Sequence, residues 1–415
     1  MTFFDSCARM SARRTCAALP FLAFRGTTMK RFSILLLLLF LTGCAAAPVE
    51  TSEPTLPTPA TEAPVPTETT VPITTTPPDP IQELLDSMTI EERVGQLFLA
   101  RCNAESALTD IQEYHLGGFV LFGEDFEGQT PDSLRQTLSG YQAAAGIPML
   151  LAVDEEGGTV TRISRYPAFR SQCFPSPREA FAGGGLTQAL SNEEEICQLL
   201  QSLGINVNLG PVCDISEDPN AFMYQRSLGQ DAAATGDFVA GTVKLMNAYQ
   251  IGSVLKHFPG YGNNADTHTG LAVDSRSLQA LESSDLLPFS AGIEAGCGAV
   301  LVSHNIVQAL DRDSPASLSP ASLSPAVHRY LRDTMGFDGV VMTDDLVMEA
   351  ITDRYGTGEA AVLAVQAGND LLCSTDYAEQ YSAVLSAVLD GRIDFDALNA
   401  SVMRVLKWKQ SLGLL

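Results

Sequence analysis

Short apolar runs rich in β-branched residues recur along the chain, and each stops at polar or glycine-rich positions. Seven stand at residues 118–122, 149–153, 205–209, 252–255, 299–302, 339–342 and 370–372. Between them lie longer stretches whose apolar residues return at helical spacing, for example 192–203, 232–250 and 325–335. A short run apolar at consecutive positions is a strand covered on both faces. Such strands alternating with helices predict βαβ units and a parallel sheet. Seven units within residues 81–415 favour an α/β fold, a (β/α)8 TIM-type barrel forming one catalytic domain, over an open sheet. No GxGxxG follows the first of these strands, which weakens the case for a dinucleotide-binding sheet.

The charged residues sharpen this picture. Asp154, Asp214, Lys256 with His257, His304, and Asp344 with Asp345 each stand at the carboxyl end of a predicted strand. In a barrel those ends converge on one face, where catalytic groups collect. Five strands in succession ending this way predict a mouth lined with carboxylates and imidazoles.

Upstream of the barrel the pattern changes. Residues 29–43 begin Met29-Lys30-Arg31, continue apolar from Phe32 to Leu41 and end on Thr42-Gly43, just before Cys44. A basic start, about ten apolar residues and small residues make an export signal, well short of the roughly twenty residues of a membrane span. Leu41-Thr42-Gly43-Cys44 is similar to the bacterial lipobox, which implies cleavage before Cys44, lipidation of its thiol and a membrane anchor. Met29 then reads as the true start, with residues 1–28 a mistaken upstream extension. Residues 44–80 read as a disordered linker: Ala45 to Pro80 hold ten Pro, ten Thr and no Lys or Arg. Such a composition cannot bury enough apolar surface to offset the entropy of ordering. At roughly 3.1 Å per residue in polyproline geometry the linker reaches about 110 Å.

A net charge of −24 argues against nucleic acid as a partner and favours solubility. Cys102, Cys173, Cys197, Cys213, Cys297 and Cys373 lack metal-ligand spacing, so neither a zinc site nor a disulfide framework is expected; most read as small buried hydrophobes. No metal or cofactor motif is visible.

The most specific passage is Lys256-His257-Phe258-Pro259-Gly260-Tyr261-Gly262, followed by Asp266-Thr267-His268. A constrained loop leaves a strand, and Asp-X-His lets a carboxylate hold one imidazole nitrogen while the other exchanges a proton. Spacing alone leaves open a capped loop beside a surface histidine. This passage resembles the signature of the bacterial β-N-acetylglucosaminidases of glycoside hydrolase family 3. The likeness extends over most of residues 81–415: Val153-Asp154-Glu155-Glu156-Gly157-Gly158 with Arg162, Asn206 to Asp214, Arg226-Ser227-Leu228-Gly229, and Met342-Thr343-Asp344-Asp345-Leu346.

The resemblance implies a barrel that cleaves terminal N-acetyl-hexosamine from carbohydrate. Asp344 matches the nucleophile that forms a covalent glycosyl-enzyme; the alternative is that Asp345 is the reactive group and Asp344 a helix cap. His268 matches the general acid/base and Asp266 its orienting partner. Asp154, Arg162, Arg226, Lys256 and His257 match the residues that hold the sugar. This departs from the two-carboxylate arrangement of most glycosidases. The loop between Gly262 and Asp266 holds three residues, Asn263-Asn264-Ala265, where four are common, and Tyr261 stands where His is frequent. A β-glucosidase, a phosphorylase of the same fold and a catalytically inactive glycan-binding lipoprotein stay open as alternatives. His304 reads as a polar wall residue, and Trp408 as part of a packing helix rather than a sugar platform.

Overall fold

The computed structural model describes residues 79–262, 272–311 and 319–415. Eight parallel strands form a barrel: β1 Phe98–Arg101, β2 Gly118–Leu121, β3 Leu150–Val153, β4 Val207–Asn208, β5 Gly252–Phe258, β6 Ala299–Val302, β7 Val340–Thr343 and β8 Leu372–Ser374. Neighbours pair in chain order, and β1 pairs with β8 as well as β2. A parallel bridge between Met342 and Leu371 joins β7 to the approach of β8 and completes the ring.

Side chains along the strands alternate between two environments, as a period of two requires. Val120, Leu150, Ala152, Ala299, Leu301, Val340 and Met342 point inward and fill the barrel. Phe119, Leu121, Leu151 and Val153 face outward against the helices around β1–β4 and β8. Val300, Val302 and Val341 face a second outer cluster around the β5–β7 side. A strand buried on both faces therefore reads as a continuous apolar run, which is why seven of the eight were visible in the sequence.

β1 was not visible, for a local reason. The helix Ile90–Gln96, fixed by a capping box between Thr89 and Glu92, passes through Leu97 directly into Phe98 with no polar break. The helical and strand periods merge there. The last strand lies at Leu372–Ser374, two residues beyond the expected 370–372. The expected helix 192–203 is the end of the longer Pro177–Leu203, whose backbone breaks at Gly184 and Gly185. Likewise the expected 325–335 is α-helical only over Pro325–Arg329 and continues as a π-helical turn, Tyr330–Thr334.

The closing helix Phe395–Ser411 seals the amino end of the barrel with Trp408. A Cβ at Gly252 would stand 2.7 Å from the indole and one at Gly298 only 2.0 Å, so both strand starts need glycine for this close approach. Trp408 packs, as expected, and only the carboxyl end is left for chemistry. Cys102, Cys197, Cys213, Cys297 and Cys373 are buried free thiols, whereas Cys173 is exposed. Among the described residues no helix is long and apolar enough to cross a membrane.

Candidate active site

A cavity of about 680 Å³ opens at the carboxyl end of the barrel, and every strand or the turn following it contributes to its wall. β1 supplies Arg101 and the exit of β2 supplies Phe122. Asp154 follows β3, Leu209 follows β4, Lys256 and His257 lie on β5, Leu301 on β6, Asp344 follows β7 and Thr375 follows β8.

One side of this cavity is a cradle of paired charges. The Lys256 ammonium donates to Asp154 Oδ1 at 2.6 Å and lies 2.5 Å from Glu156 Oε1. Arg226 grips Glu156 with two parallel bonds, Nε to Oε2 at 2.9 Å and Nη2 to Oε1 at 2.7 Å. Arg162 stands 3.7 Å from Asp154 Oδ2. Burial by itself would raise the Glu156 carboxyl, but Arg226 and Lys256 outweigh it and hold the group well below the usual carboxylate range. Burial by itself would also lower Lys256, and Asp154 and Glu156 reverse that. Glu156 and Lys256 therefore stay ionised, an anionic acceptor and a cationic donor side by side. Sugar hydroxyls, which both donate and accept, match such a surface.

His257 is held from behind. The Asp214 carboxylate accepts from His257 N at 3.1 Å and from Tyr261 N at 2.7 Å, and lies 2.7 Å from His257 Nδ1. That pairing puts the proton on Nδ1 and turns Nε2 toward Arg226 Nη2, 3.2 Å away, as an acceptor. Asp214 thus fixes both the tautomer of His257 and the start of the Pro259-Gly260 loop.

The two adjacent aspartates after β7 have different employment. Asp345 caps the turn after β8: its Oδ2 accepts from Thr375 Oγ1 at 2.5 Å, and its Oδ1 from the amides of Thr375 and Val347 at 3.2 Å each. Burial raises its carboxyl despite these bonds. Asp344 has its amide bound to Val302 O at 3.1 Å, which ties it to the end of β6, and its Oδ1 accepts from Asp345 N at 2.9 Å. Its side chain lines the same cavity as Asp154, Arg226 and Lys256.

Residues 89–408 match the glycosyl hydrolase family 3 N terminal domain. The chain belongs to glycoside hydrolase family 3. It is 30% identical over 329 residues to Beta-hexosaminidase A of Pseudoalteromonas piscicida, an alignment covering 73% of this chain and 54% of that protein. It is 31% identical to Beta-hexosaminidase LpqI of Mycobacterium tuberculosis over 332 residues, covering 77% and 82% respectively. A solved family 3 β-N-acetylglucosaminidase from Paenibacillus sp. str. FPU-7 superposes with a TM-score of 0.74 at 32% identity, covering 79% of this chain and 63% of that one. The chain therefore spans only about half to two thirds of two of these relatives.

In this family 3 chain the structure gathers Asp154, Arg162, Arg226, Lys256, His257 and Asp344 around one cavity. Asp266, His268 and Cys44 lie outside the described residues. His304 is not a wall residue: it is fully buried beneath the cavity, between Ser322 Oγ at 2.8 Å and the Asp345 carbonyl at 3.0 Å. Two contributors, Glu156 and Arg101, were given no site role by the sequence, and Asp214 was read only as a strand-end carboxylate. Glu156 completes the cradle, and its signal was the alternation past β3 that sends Asp154 and Glu156 to one side and Glu155 to the other. Glu155 points into the loop, where it accepts from the amides of Arg162 and Ile163 at 2.9 and 2.7 Å. Arg101 went unnoticed because β1 did, and the role of Asp214 behind His257 is a finding of the structure.

Proposed function

We propose that the chain is a retaining exo-β-N-acetylglucosaminidase that releases terminal N-acetyl-hexosamine from cell-wall glycan fragments, exported and held at a membrane through a lipidated Cys44. The observation that carries this reading is Asp344 lining one cavity with Asp154, Lys256 and Arg226, which Glu156 ties together. The cradle grips the hydroxyls of one sugar ring, and the side chain of Asp344 meets its anomeric carbon. Asp344 attacks, the bond to the leaving oxygen breaks, and His268 gives that oxygen its proton. Water, deprotonated by His268, then opens the glycosyl ester and restores Asp344. Asp266 orients the imidazole and stabilises its charged form. The hexosaminidase and N-acetylglucosaminidase names of the relatives support the acetamido sugar as the glycone.

The test compares kcat/KM for aryl β-N-acetylglucosaminide and aryl β-glucoside. Preference for the acetamido sugar is expected, and preference for the glucoside would overturn the assignment. Sugar 1-phosphate appearing on addition of phosphate would replace hydrolysis with phosphorolysis.

A further inference from the structure

His304 follows β6 and is fully buried, and the proposed mechanism gives it no part. Both of its ring nitrogens are nonetheless engaged. Nε2 lies 3.0 Å from the Asp345 carbonyl oxygen, and Nδ1 lies 2.8 Å from Ser322 Oγ. A carbonyl oxygen only accepts, so Nε2 carries the hydrogen and donates it to Asp345. Ser322 Oγ then donates to the bare Nδ1 of the neutral ring. This is the reverse of His257, whose proton stands on Nδ1 toward Asp214.

Ser322 is itself held in place. Its amide donates to Ser303 O at 3.0 Å, and its carbonyl accepts from Asn369 Nδ2 at 2.7 Å. At the other end this chain of bonds reaches the nucleophile. The Asp345 amide donates to Asp344 Oδ1 at 2.9 Å, so the place of Asp345 decides how the Asp344 carboxylate is turned. The turn that carries both aspartates is tied to β6 by the Asp344 amide on Val302 O, and to the exit of β8 by the Asp345 carboxylate on Thr375. The Asp345 carbonyl also accepts from Met348 N at 3.2 Å, but Met348 belongs to the same turn. Among the described residues, His304 is what ties this carbonyl to the rest of the barrel.

We infer that His304 is a positioning residue for the nucleophile. As a neutral Nε2–H imidazole it fixes the Asp345 peptide and, through the Asp345 amide, the aim of the Asp344 carboxylate. This rests on the proposed reading, in which Asp344 attacks the anomeric carbon. A carboxylate turned or shifted slightly loses rate in that attack and leaves the grip of the cradle on the sugar unchanged.

Two amide variants separate the ring nitrogens. In His304→Gln the side-chain amide reaches where Nε2 stands and can still donate to the Asp345 carbonyl. In His304→Asn it stops where Nδ1 stands, against Ser322, and the donor to Asp345 is lost. Labelling by an activated 2-deoxy-2-fluoro glycoside reads the attack alone, because the ester it forms is slow to hydrolyse. His304→Asn should be labelled roughly ten- to a hundredfold more slowly than the wild type, with the reagent's apparent dissociation constant changed less than about twofold. Its final label should still match the wild type, and His304→Gln should regain most of the rate. Labelling of His304→Asn at the wild-type rate, or of His304→Gln no faster than His304→Asn, would overturn the inference. So would a lower final label reached at the wild-type rate, which is the mark of a merely structural role. If His304→Asn fails to fold, the imidazole nitrogen resonances of the wild type decide the matter. A hydrogen on Nε2 of His304 is expected, and a hydrogen on Nδ1 alone would overturn the assignment. Wild-type label on a residue other than Asp344 would instead overturn the reading beneath it, and peptide mapping tells that apart from slow labelling of Asp344.

Discussion

Thr375 Oγ1 donates to Asp345 Oδ2 at 2.5 Å, and this bond separates the roles of two adjacent aspartates. Asp345 spends its carboxylate on the turn after β8, while Asp344 presents its own to the cavity. Three protein hydrogen bonds hold the Asp345 carboxylate at that turn.

Asp344→Asn should therefore abolish turnover, by at least about 10³-fold, in a protein that melts like the wild type. A 2-deoxy-2-fluoro sugar should be trapped on Asp344 and found there by peptide mapping. Asp345→Asn, which loses part of the Thr375 and Val347 network, should instead cost about 1–3 kcal/mol of stability and keep measurable activity. A label on Asp345 would reverse the two roles.

Glu193 is buried behind the cradle, on the helix Pro177–Leu203, and burial followed by the negative charge of Glu156 pushes its carboxyl up to about 8. The unfolded chain gives up this proton near its ordinary 4.5 while the folded protein keeps it. Stability therefore falls as the pH rises from about 4.5 to about 8 and then levels off. Glu193→Gln removes this slope. Thermal melts should show little gain at pH 5 and a gain of several °C at pH 8, on a scale of roughly 2–4 °C per kcal/mol for large domains. Equal gains at both pH values would mean that Glu193 is ionised in the fold.

Much of this architecture was legible because buried parallel strands write themselves as apolar runs with a charge at the end. β1 was hidden where the helix Ile90–Gln96 runs into Phe98 without a break, and Arg101 was hidden with it. Asp154, Lys256 and Asp344 were legible by position. Asp214 was legible by position but not by role, and Glu156 by neither, since their roles come from partners 43 and 70 residues away in the chain. Sequence spacing does not carry such contacts.

The proposed lipid anchor makes a prediction of its own. Cys44 should be the first residue of the mature protein, and metabolic labelling with a fatty acid should mark the wild type and leave Cys44→Ala unmarked. Label that persists in the variant would remove the anchor from the proposal.

The Asp266/His268 pair lies outside the described residues, so its assignment rests on the sequence, and kinetics can test it. If His268 protonates the leaving oxygen, His268→Ala should lose most activity on substrates with poor leaving groups, by about 10² to 10⁴. An activated aryl group leaves with little protonation, so glycosylation of Asp344 would be partly spared there. Hydrolysis of the ester would stay slow for want of a base, and azide, which needs no deprotonation, should restore part of that step. Asp266→Asn keeps the ring but weakens it as a base, giving a smaller loss and a shifted pH profile. Two nearby carboxylates are poorly placed to substitute: Glu155 is fully buried on loop amides and Glu156 is clamped by Arg226 and Lys256. Near-full activity of His268→Ala on an unactivated disaccharide would show that the acid/base is another group, and that the short Asn263-Asn264-Ala265 connection accompanies a different mechanism.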